Sequence, residues 1–182
     1  MNQQTDEVII AQTKKWIIDV VVGCNFCPFA AKEVKRNSIY YEVLPGATTA
    51  TVLAGVVAAL HQLDDNAAIE TSFLILPGNF GTFDAYLQLL ELAEALLAKE
   101  GYEGIYQLAS FHPGYLFAGS TSTDPANYTN RSPYPMLHFL REESVSKAID
   151  SYPGIDEVPN RNIAFANKKG LLYMQQLLAG NE

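Results

Sequence analysis

The spacing of apolar and polar residues along the chain predicts helices and strands in an almost regular succession. Apolar residues recur at helical spacing from residue 5 to residue 22, where Gly23 ends the pattern. The β-branched run at 16–22 also fits a strand, but the pattern continues unbroken through 12–15, which favours a helix. Further helices are predicted at 28–36, 49–63, 83–100, 133–150, 156–167 and 171–178, and strands at 38–44, 71–76 and 105–111. Thr48 or Thr49 and Thr82 are expected to cap the helices that follow them.

Each of the three predicted strands ends in a proline-glycine turn. The turns are Leu44-Pro45-Gly46, Leu76-Pro77-Gly78 and His112-Pro113-Gly114. They are ordinary turn signals, but strands separated by helices also favour right-handed crossovers, which would bring the turns to one edge. A fourth strand at 116–118 is expected to join the sheet. The pattern predicts an α/β or α+β fold: one domain over 1–182, with three or four mostly parallel or mixed strands surrounded by helices.

Composition narrows the class of protein. The chain has 182 residues, 48% of them hydrophobic, and a net charge of −8, which argues against unselective nucleic-acid binding. The polar start carries no export signal, and the stretch at 16–24 is too short to span a bilayer, so we expect a cytoplasmic protein without membrane contact. Its two cysteines are expected to be reduced thiols.

A long loop at 113–132 is the first candidate for a functional site. Loops of this length in compact domains are usually functional or disordered, and the aromatic content here argues against disorder. His112 precedes the loop at a strand end, where it could act as an acid or base. The alternative is a histidine that caps the turn through hydrogen bonds to backbone.

The end of this loop resembles an anion site. If Ser132 caps a helix at 133–150, backbone donors at the helix start and the neighbouring Arg131 suit a carboxylate or phosphate. Asn127, Asn130 and Tyr134 add hydrogen-bonding groups. In the alternative, the asparagines form turns and Arg131 pairs with a structural carboxylate.

Two more residues of the same predicted helix are candidates for binding. His138 and Arg141 are three residues apart and would share a helix face, with Glu142 nearby. A single helical histidine is more often structural, so His138 has a structural alternative as well. His61 is expected at the surface.

The cysteines form the third candidate site. If Pro28 is the first residue of a helix, Cys27 is its N-cap and its thiolate is stabilised there. Cys24 lies three residues earlier, as in dithiol redox proteins of the thioredoxin type, but the preceding element is predicted to be a helix. A buried, inert Cys27 is the alternative. A zinc site of Cys24, Cys27, His112 and His138 has a sensible ligand count but no known spacing.

Several segments together resemble a bacterial family catalogued only as a domain of unknown function, number 1415 of that series. They are Asn25-Phe26-Cys27-Pro28-Phe29-Ala30, Ser110-Phe111-His112-Pro113, Asn130-Arg131-Ser132-Pro133-Tyr134-Pro135 and Arg161-Asn162-Ile163-Ala164. The resemblance covers nearly the whole chain and implies no activity. It also implies an apolar residue at the position of Cys24, which weakens the dithiol and zinc hypotheses.

The leading hypothesis is an enzyme that acts on a small anionic metabolite, with no cofactor identified and no metal. His112 would be the acid or base, and Cys27 a nucleophile or polar wall. The expected binding residues are Asn127, Asn130, Arg131, Ser132, Tyr134, His138, Arg141 and Arg161. The alternatives are a non-catalytic ligand-binding or dimer-interaction module and a thiol redox protein that uses Cys24 and Cys27.

Overall fold

A computed structural model describes residues 4–181, which form a four-stranded mixed sheet with helices on both faces. The strands are β1 (Ile39–Val43), β2 (Thr71–Ile75), β3 (Tyr106–Phe111) and β4 (Met136–Arg141). Their order across the sheet is β1-β2-β4-β3, with β1 parallel to β2 and β4 antiparallel to both of its neighbours. The predicted class is therefore confirmed in its α+β form, with a mixed sheet.

Seven α-helices occur among the described residues. They are α1 (Asp6–Trp16), α2 (Ala30–Arg36), α3 (Thr49–Asp65), α4 (Phe83–Lys99), α5 (Glu142–Ser151), α6 (Val158–Lys169) and α7 (Leu171–Ala179). A π-helix, Ile17–Val22, continues α1, so the helix predicted at 5–22 is confirmed over the competing strand. The side chains of Thr48 and Thr82 accept hydrogen bonds at the starts of α3 and α4, and both predicted caps are confirmed.

The three proline-glycine turns lie at one edge of the sheet. β1, β2 and β3 run in the same direction because β4 is antiparallel to the two strands beside it. The backbone N–H of Gly46 donates to Pro77 O (3.3 Å), and that of Leu76 donates to Pro135 O (2.9 Å), just before β4 begins. The loop from β3 to β4, which contains a short 3₁₀ helix at Pro125–Thr129, therefore starts and ends at this edge.

The helix predicted at 133–150 is wrong in its first half. Residues 136–141 form β4 in the middle of the sheet, and α5 begins only at Glu142. Side chains of β4 alternate between two covered faces, so apolar residues occupy most of its positions. Periodicity alone cannot distinguish such a run from a buried helix segment. Ser132 is therefore not a helix cap, and its hydroxyl donates to Tyr134 O (2.6 Å).

Two smaller predictions are also wrong. Residues 116–118 lie in the loop and form no strand. α2 begins at Ala30 with Phe29 as its N-cap, so Pro28 is not its first residue and Cys27 is not its cap. The residues between the π-helix and α2 form turns instead, with Asn25 in the left-handed region (φ 55°).

The two faces of the sheet are covered differently. The packed face is the side covered by α3 and α4, where Leu74, Leu137 and Phe139 belong to one continuous apolar core. The opposite side borders a cavity and is called the cavity face. It packs against α1, the π-helix and α7 and carries Phe73 and Met136. Adjacent residues of a strand face opposite sides, so β2 and β4 contribute to both cores.

Candidate ligand-binding cavity

A cavity of about 540 Å³ lies on the cavity face of the sheet. β2, β3 and β4 supply one wall, and the other walls come from α2, α5 and the junction of α1 with the π-helix. Its size falls within the roughly 300–1,000 Å³ of small-molecule sites. Four aromatic side chains line it: Trp16, Phe29, Phe73 and Phe111. The cavity is thus large enough for a metabolite and is mostly apolar.

Two helices shape the cavity in unusual ways. Ile17 and Val21 reach it from the π-helix, a rare conformation that is common at functional sites. Val145 and Ala148 reach it from α5, a helix with no buried side chain of its own. The apolar side of α5 therefore faces the cavity rather than a close-packed core.

His138 is the principal polar residue of the sheet wall. The hydroxyl of Thr71 donates its single proton to Phe139 O (2.5 Å). Because Thr71 Oγ1 lies 2.6 Å from His138 Nε2, the imidazole must be the donor in that second bond. The unprotonated nitrogen is therefore Nδ1.

The Nδ1 atom of His138 is open to the cavity. Within residues 4–181 it has no hydrogen-bond partner. It is not a fully buried atom, because Ser72 Oγ is the one fully buried side-chain polar atom without a partner among these residues. His138 itself lines the cavity. Burial lowers the pKa of His138 to about 3, so the ring is neutral near pH 7 and Nδ1 acts as a hydrogen-bond acceptor.

Other polar groups of the lining differ in what they offer a ligand. Gln107 and Ser144 line the cavity and add an amide and a hydroxyl to its wall. Lysine and glutamate side chains also line the cavity. Lys32 pairs with the mostly buried Glu33 (3.5 Å), and Lys147 pairs with Glu143 in an exposed ion pair. The exposed pair contributes little energy, and the mixture of charges gives the cavity no clear preference for an anion.

The two cysteines lie on the same side of the sheet. Cys27 lines the cavity, and Cys24 packs against the apolar core of the cavity face. Both are free thiols. Burial raises the pKa of Cys24, which disfavours its thiolate form.

His112 is buried at the end of β3, away from that lining. Its Nε2 donates to Phe80 O (2.8 Å), and its Nδ1 accepts from the N–H of Gly114 (2.9 Å). Phe80 has φ 56°, uncommon for a bulky residue, so this bond secures a strained turn. The contacts are those of the turn-capping alternative. Burial lowers the pKa of His112, and the catalytic role predicted for it stays a prediction.

The predicted anion-binding residues hold the long loop together. Arg131 donates to Tyr115 O (3.2 Å) and Ser122 O (3.1 Å), and its guanidinium stacks on Tyr128, 4.4 Å from the ring centre. The buried Asn127 accepts from the N–H of Phe117 (3.0 Å) and donates to Thr121 O (2.8 Å). The structure brings Arg131 close enough to His112 for its charge to affect the histidine pKa.

The four remaining predicted residues lie in different parts of the fold. Asn130 accepts from Thr129 through its side chain (3.0 Å). Tyr134 donates to Gln12 of α1. Arg141 donates to Leu63 O (2.5 Å) and Ile69 O (3.0 Å), and it also lines the cavity. Arg161 donates to Asn25 O. His138 and Arg141 are on opposite faces of a strand, so the prediction that they share a helix face is wrong.

The predicted site residues thus fall into separate groups. His112, Asn127, Asn130, Arg131 and Ser132 belong to the loop at the sheet edge, whereas Cys27, His138 and Arg141 line the cavity. Sequence reasoning missed the other main lining residues: Trp16, Thr71, Phe73, Gln107, Ala109 and Val145. The available signal was the period-two alternation of the strands, which places Thr71 with Phe73 and Gln107 with Ala109 on one face.

Two further observations concern all the described residues. No group of three or more His, Cys, Asp or Glu side chains among residues 4–181 is placed to hold a metal ion. Within the same residues, no helix combines the length and the apolar character that a membrane crossing requires.

Comparison with known proteins places the chain in one family. It belongs to the family described as a protein of unknown function, DUF1415, whose model matches residues 8–176. The membership predicted from the sequence motifs is therefore confirmed. Neither the curated proteins nor the solved structures contain a match to this chain.

Proposed function

We propose that this member of the DUF1415 family binds a small, mostly apolar molecule in the cavity between the sheet and α5. The observation that carries the proposal is a cavity of about 540 Å³ whose apolar wall includes an open hydrogen-bond acceptor, His138 Nδ1. Small-molecule sites combine an apolar lining with a few polar groups in this way. The ligand would carry a hydrogen-bond donor such as a hydroxyl.

The energetics of His138 support a binding role. Nδ1 of His138 is an accessible acceptor in a wall that is otherwise mostly apolar. A ligand hydroxyl could donate a hydrogen bond to it while the apolar part of the ligand packs against the neighbouring side chains. Since ionisation of His138 is suppressed, with a pKa of about 3, the ring is a weak base near neutrality and is poorly matched to proton transfer there.

The enzyme hypothesis from the sequence requires more rearrangement. His112 would have to give up its bonds to Phe80 and Gly114 before it could exchange a proton with a substrate. Arg131 would have to release two loop carbonyls before it could bind an anion. Catalysis by His112 and Cys27 on an anionic metabolite, and redox chemistry by Cys24 and Cys27, stay predictions.

The position of the only tryptophan supplies the experiment. Trp16 lines the cavity, so its fluorescence should respond when a molecule enters. Benzyl alcohol and cyclohexylmethanol are suitable probes, since each has one hydroxyl on a small apolar skeleton. We expect a saturable shift in Trp16 emission with at least one of them. No saturable change with either probe would contradict the proposal.

A matched pair of variants on α5 locates the binding. Ala148→Phe adds a ring inside the cavity and should abolish the saturable change, because Ala148 lines it. Ile149→Phe introduces the same ring at the neighbouring position, where the side chain is 44% exposed, and should leave binding unchanged. Equal binding by the Ala148→Phe variant would place the probe elsewhere.

A further inference from the structure

A row of stacked rings crosses the cavity face at one level of the sheet. Strand register aligns Tyr41 of β1, Phe73 of β2 and His138 of β4, followed by Ala109 of β3. Tyr41 and Phe73 are stacked with 9° between their planes, and Phe73 and His138 with 3° at 4.0 Å. The row thus consists of three nearly parallel rings and ends at an alanine.

Ala109 leaves room beside His138 at the spacing of another ring. Neighbouring strands lie about 4.8 Å apart, close to the separation of stacked aromatic rings. One face of the imidazole is covered by Phe73, and Ala109 on the far side has only a methyl group. Ala109 lines the cavity, as do Gln107 and Phe111, the next residues of β3 on the same face. The space over Ala109 is therefore part of the cavity.

We propose that the molecule bound in the cavity contains a planar aromatic ring that stacks on the free face of His138, above Ala109. This inference rests on the proposed function and specifies the ligand class for the same site. Phe111, whose ring centre is 5.9 Å from that of His138, would contact the ring at one end. The amide of Gln107, diagonal to His138 across the two strands, would receive or donate a hydrogen bond at the other end.

A matched pair of probes separates stacking from general apolar binding. Benzyl alcohol and cyclohexylmethanol have the same carbon skeleton and hydroxyl, but only benzyl alcohol has a planar π-system. The saturated alcohol is the more apolar of the two, so burial alone would favour it. Stacking predicts that benzyl alcohol binds about 2- to 10-fold more tightly in a calorimetric titration. Equal or tighter binding of cyclohexylmethanol would overturn the inference and leave the binding proposal standing.

The NMR signal of the Ala109 methyl group gives an independent readout in the unaltered protein. A ring above Ala109 should shift this methyl signal upfield in the presence of benzyl alcohol, and cyclohexylmethanol should not. If benzyl alcohol binds but the Ala109 methyl signal does not shift upfield, the ring does not lie in the proposed place. If neither alcohol binds, the proposed function fails and this inference fails with it.

A variant of Ala109 completes the test. Ala109→Phe supplies a ring of its own beside His138 and should reduce benzyl alcohol affinity by more than 10-fold. Ala109→Ser keeps the side chain small and should leave that affinity within about twofold, since the space remains. Undiminished binding by a folded Ala109→Phe variant would contradict the inference. If that variant does not fold, the comparison of the two alcohols and the Ala109 methyl shift, both measured on the wild-type protein, decide the question.

Discussion

The two faces of one sheet differ in how completely helices cover them. On the packed face, α3 and α4 are each 17 residues long and bury a continuous core against the strands. Gly55 lets α3 approach closely, since a Cβ there would lie 2.9 Å from Leu44 Cδ1. Tyr86, fully buried on this face, donates its hydroxyl proton to Met136 O (2.7 Å).

The cavity face combines a close-packed core with a partly open region. Trp16 and Phe73 are buried in its core, yet they also line a cavity that α5 covers without burying any of its own side chains. His138 keeps one ring nitrogen open there. Both faces are mostly apolar, so the cavity face differs from the packed face in how completely its side chains are packed.

Truncation of matched leucines should give the largest difference between the faces. Leu74→Ala removes a fully buried side chain from the packed face and should lower the free energy of unfolding by about 2–5 kcal/mol. Leu140→Ala alters a half-buried residue beside the cavity and should cost clearly less, because fewer contacts are lost. Denaturant unfolding of both variants measures this, and equal losses would contradict the described contrast.

Acid should destabilise the protein through His138. Its pKa is lowered to about 3 in the folded chain from an ordinary value of 6.5, so the unfolded chain binds the proton more tightly. The stabilising effect is complete above pH 6.5 and is lost as the pH falls towards about 3, at up to about 1.4 kcal/mol per pH unit. Between pH 6.5 and about pH 4.5 the loss should be about 2 kcal/mol.

Variants of two histidines test that assignment. His138→Phe should reduce the pH slope of the free energy of unfolding, although His112, whose pKa is also lowered by burial, keeps part of it. His61→Phe makes the same replacement at an exposed position of α3 and is the control for the substitution itself. An unchanged slope in the His138→Phe variant would contradict the assignment of the acid sensitivity to His138.

Loss of the Thr71 hydroxyl should have a smaller effect. Thr71→Val removes the group that accepts from His138 and donates to Phe139 O, at a cost of about 1–2 kcal/mol in unfolding free energy. Thr71→Ser retains the hydroxyl and is the control. A valine variant as stable as the serine variant would show that these two bonds contribute little.

The smallest effect on stability is expected in α5. Val145→Ala should change the unfolding free energy by less than about 1 kcal/mol, because no side chain of α5 is buried. The same variant should weaken benzyl alcohol binding, since Val145 lines the cavity. Thermal unfolding and calorimetry measure the two quantities, and a large stability loss would show that α5 is an ordinary core helix.

The sequence was sufficient where local chemistry decides the structure. Thr48 and Thr82 identified their helices because a cap is a contact between residues three apart. The proline-glycine turns identified the edge where β1, β2 and β3 end. The helices at both ends of the chain followed from their apolar spacing.

The candidate site could not be predicted because it depends on long-range packing. The apolar run of β4 fits a helix as well as a strand that is covered on both faces. His138 was therefore predicted on a helix, whereas it lies in the middle of the sheet. The cavity joins residues from Trp16 to Ser151, and no local pattern links them. His112 and Arg131 have side chains suited to catalysis, but their hydrogen bonds are with the loop backbone, which is visible only in the fold.

Methyl NMR of the alanine- and valine-labelled protein with benzyl alcohol tests most directly whether the cavity face is the binding site. The methyl signals of Ala109, Val145 and Ala148 should shift with a common saturable dependence on the probe, because all three line the cavity. Those of Val52 and Val56, in the core of the packed face, should not move. Saturable shifts on the packed face alone, or no saturable shifts in the cavity, would contradict the account.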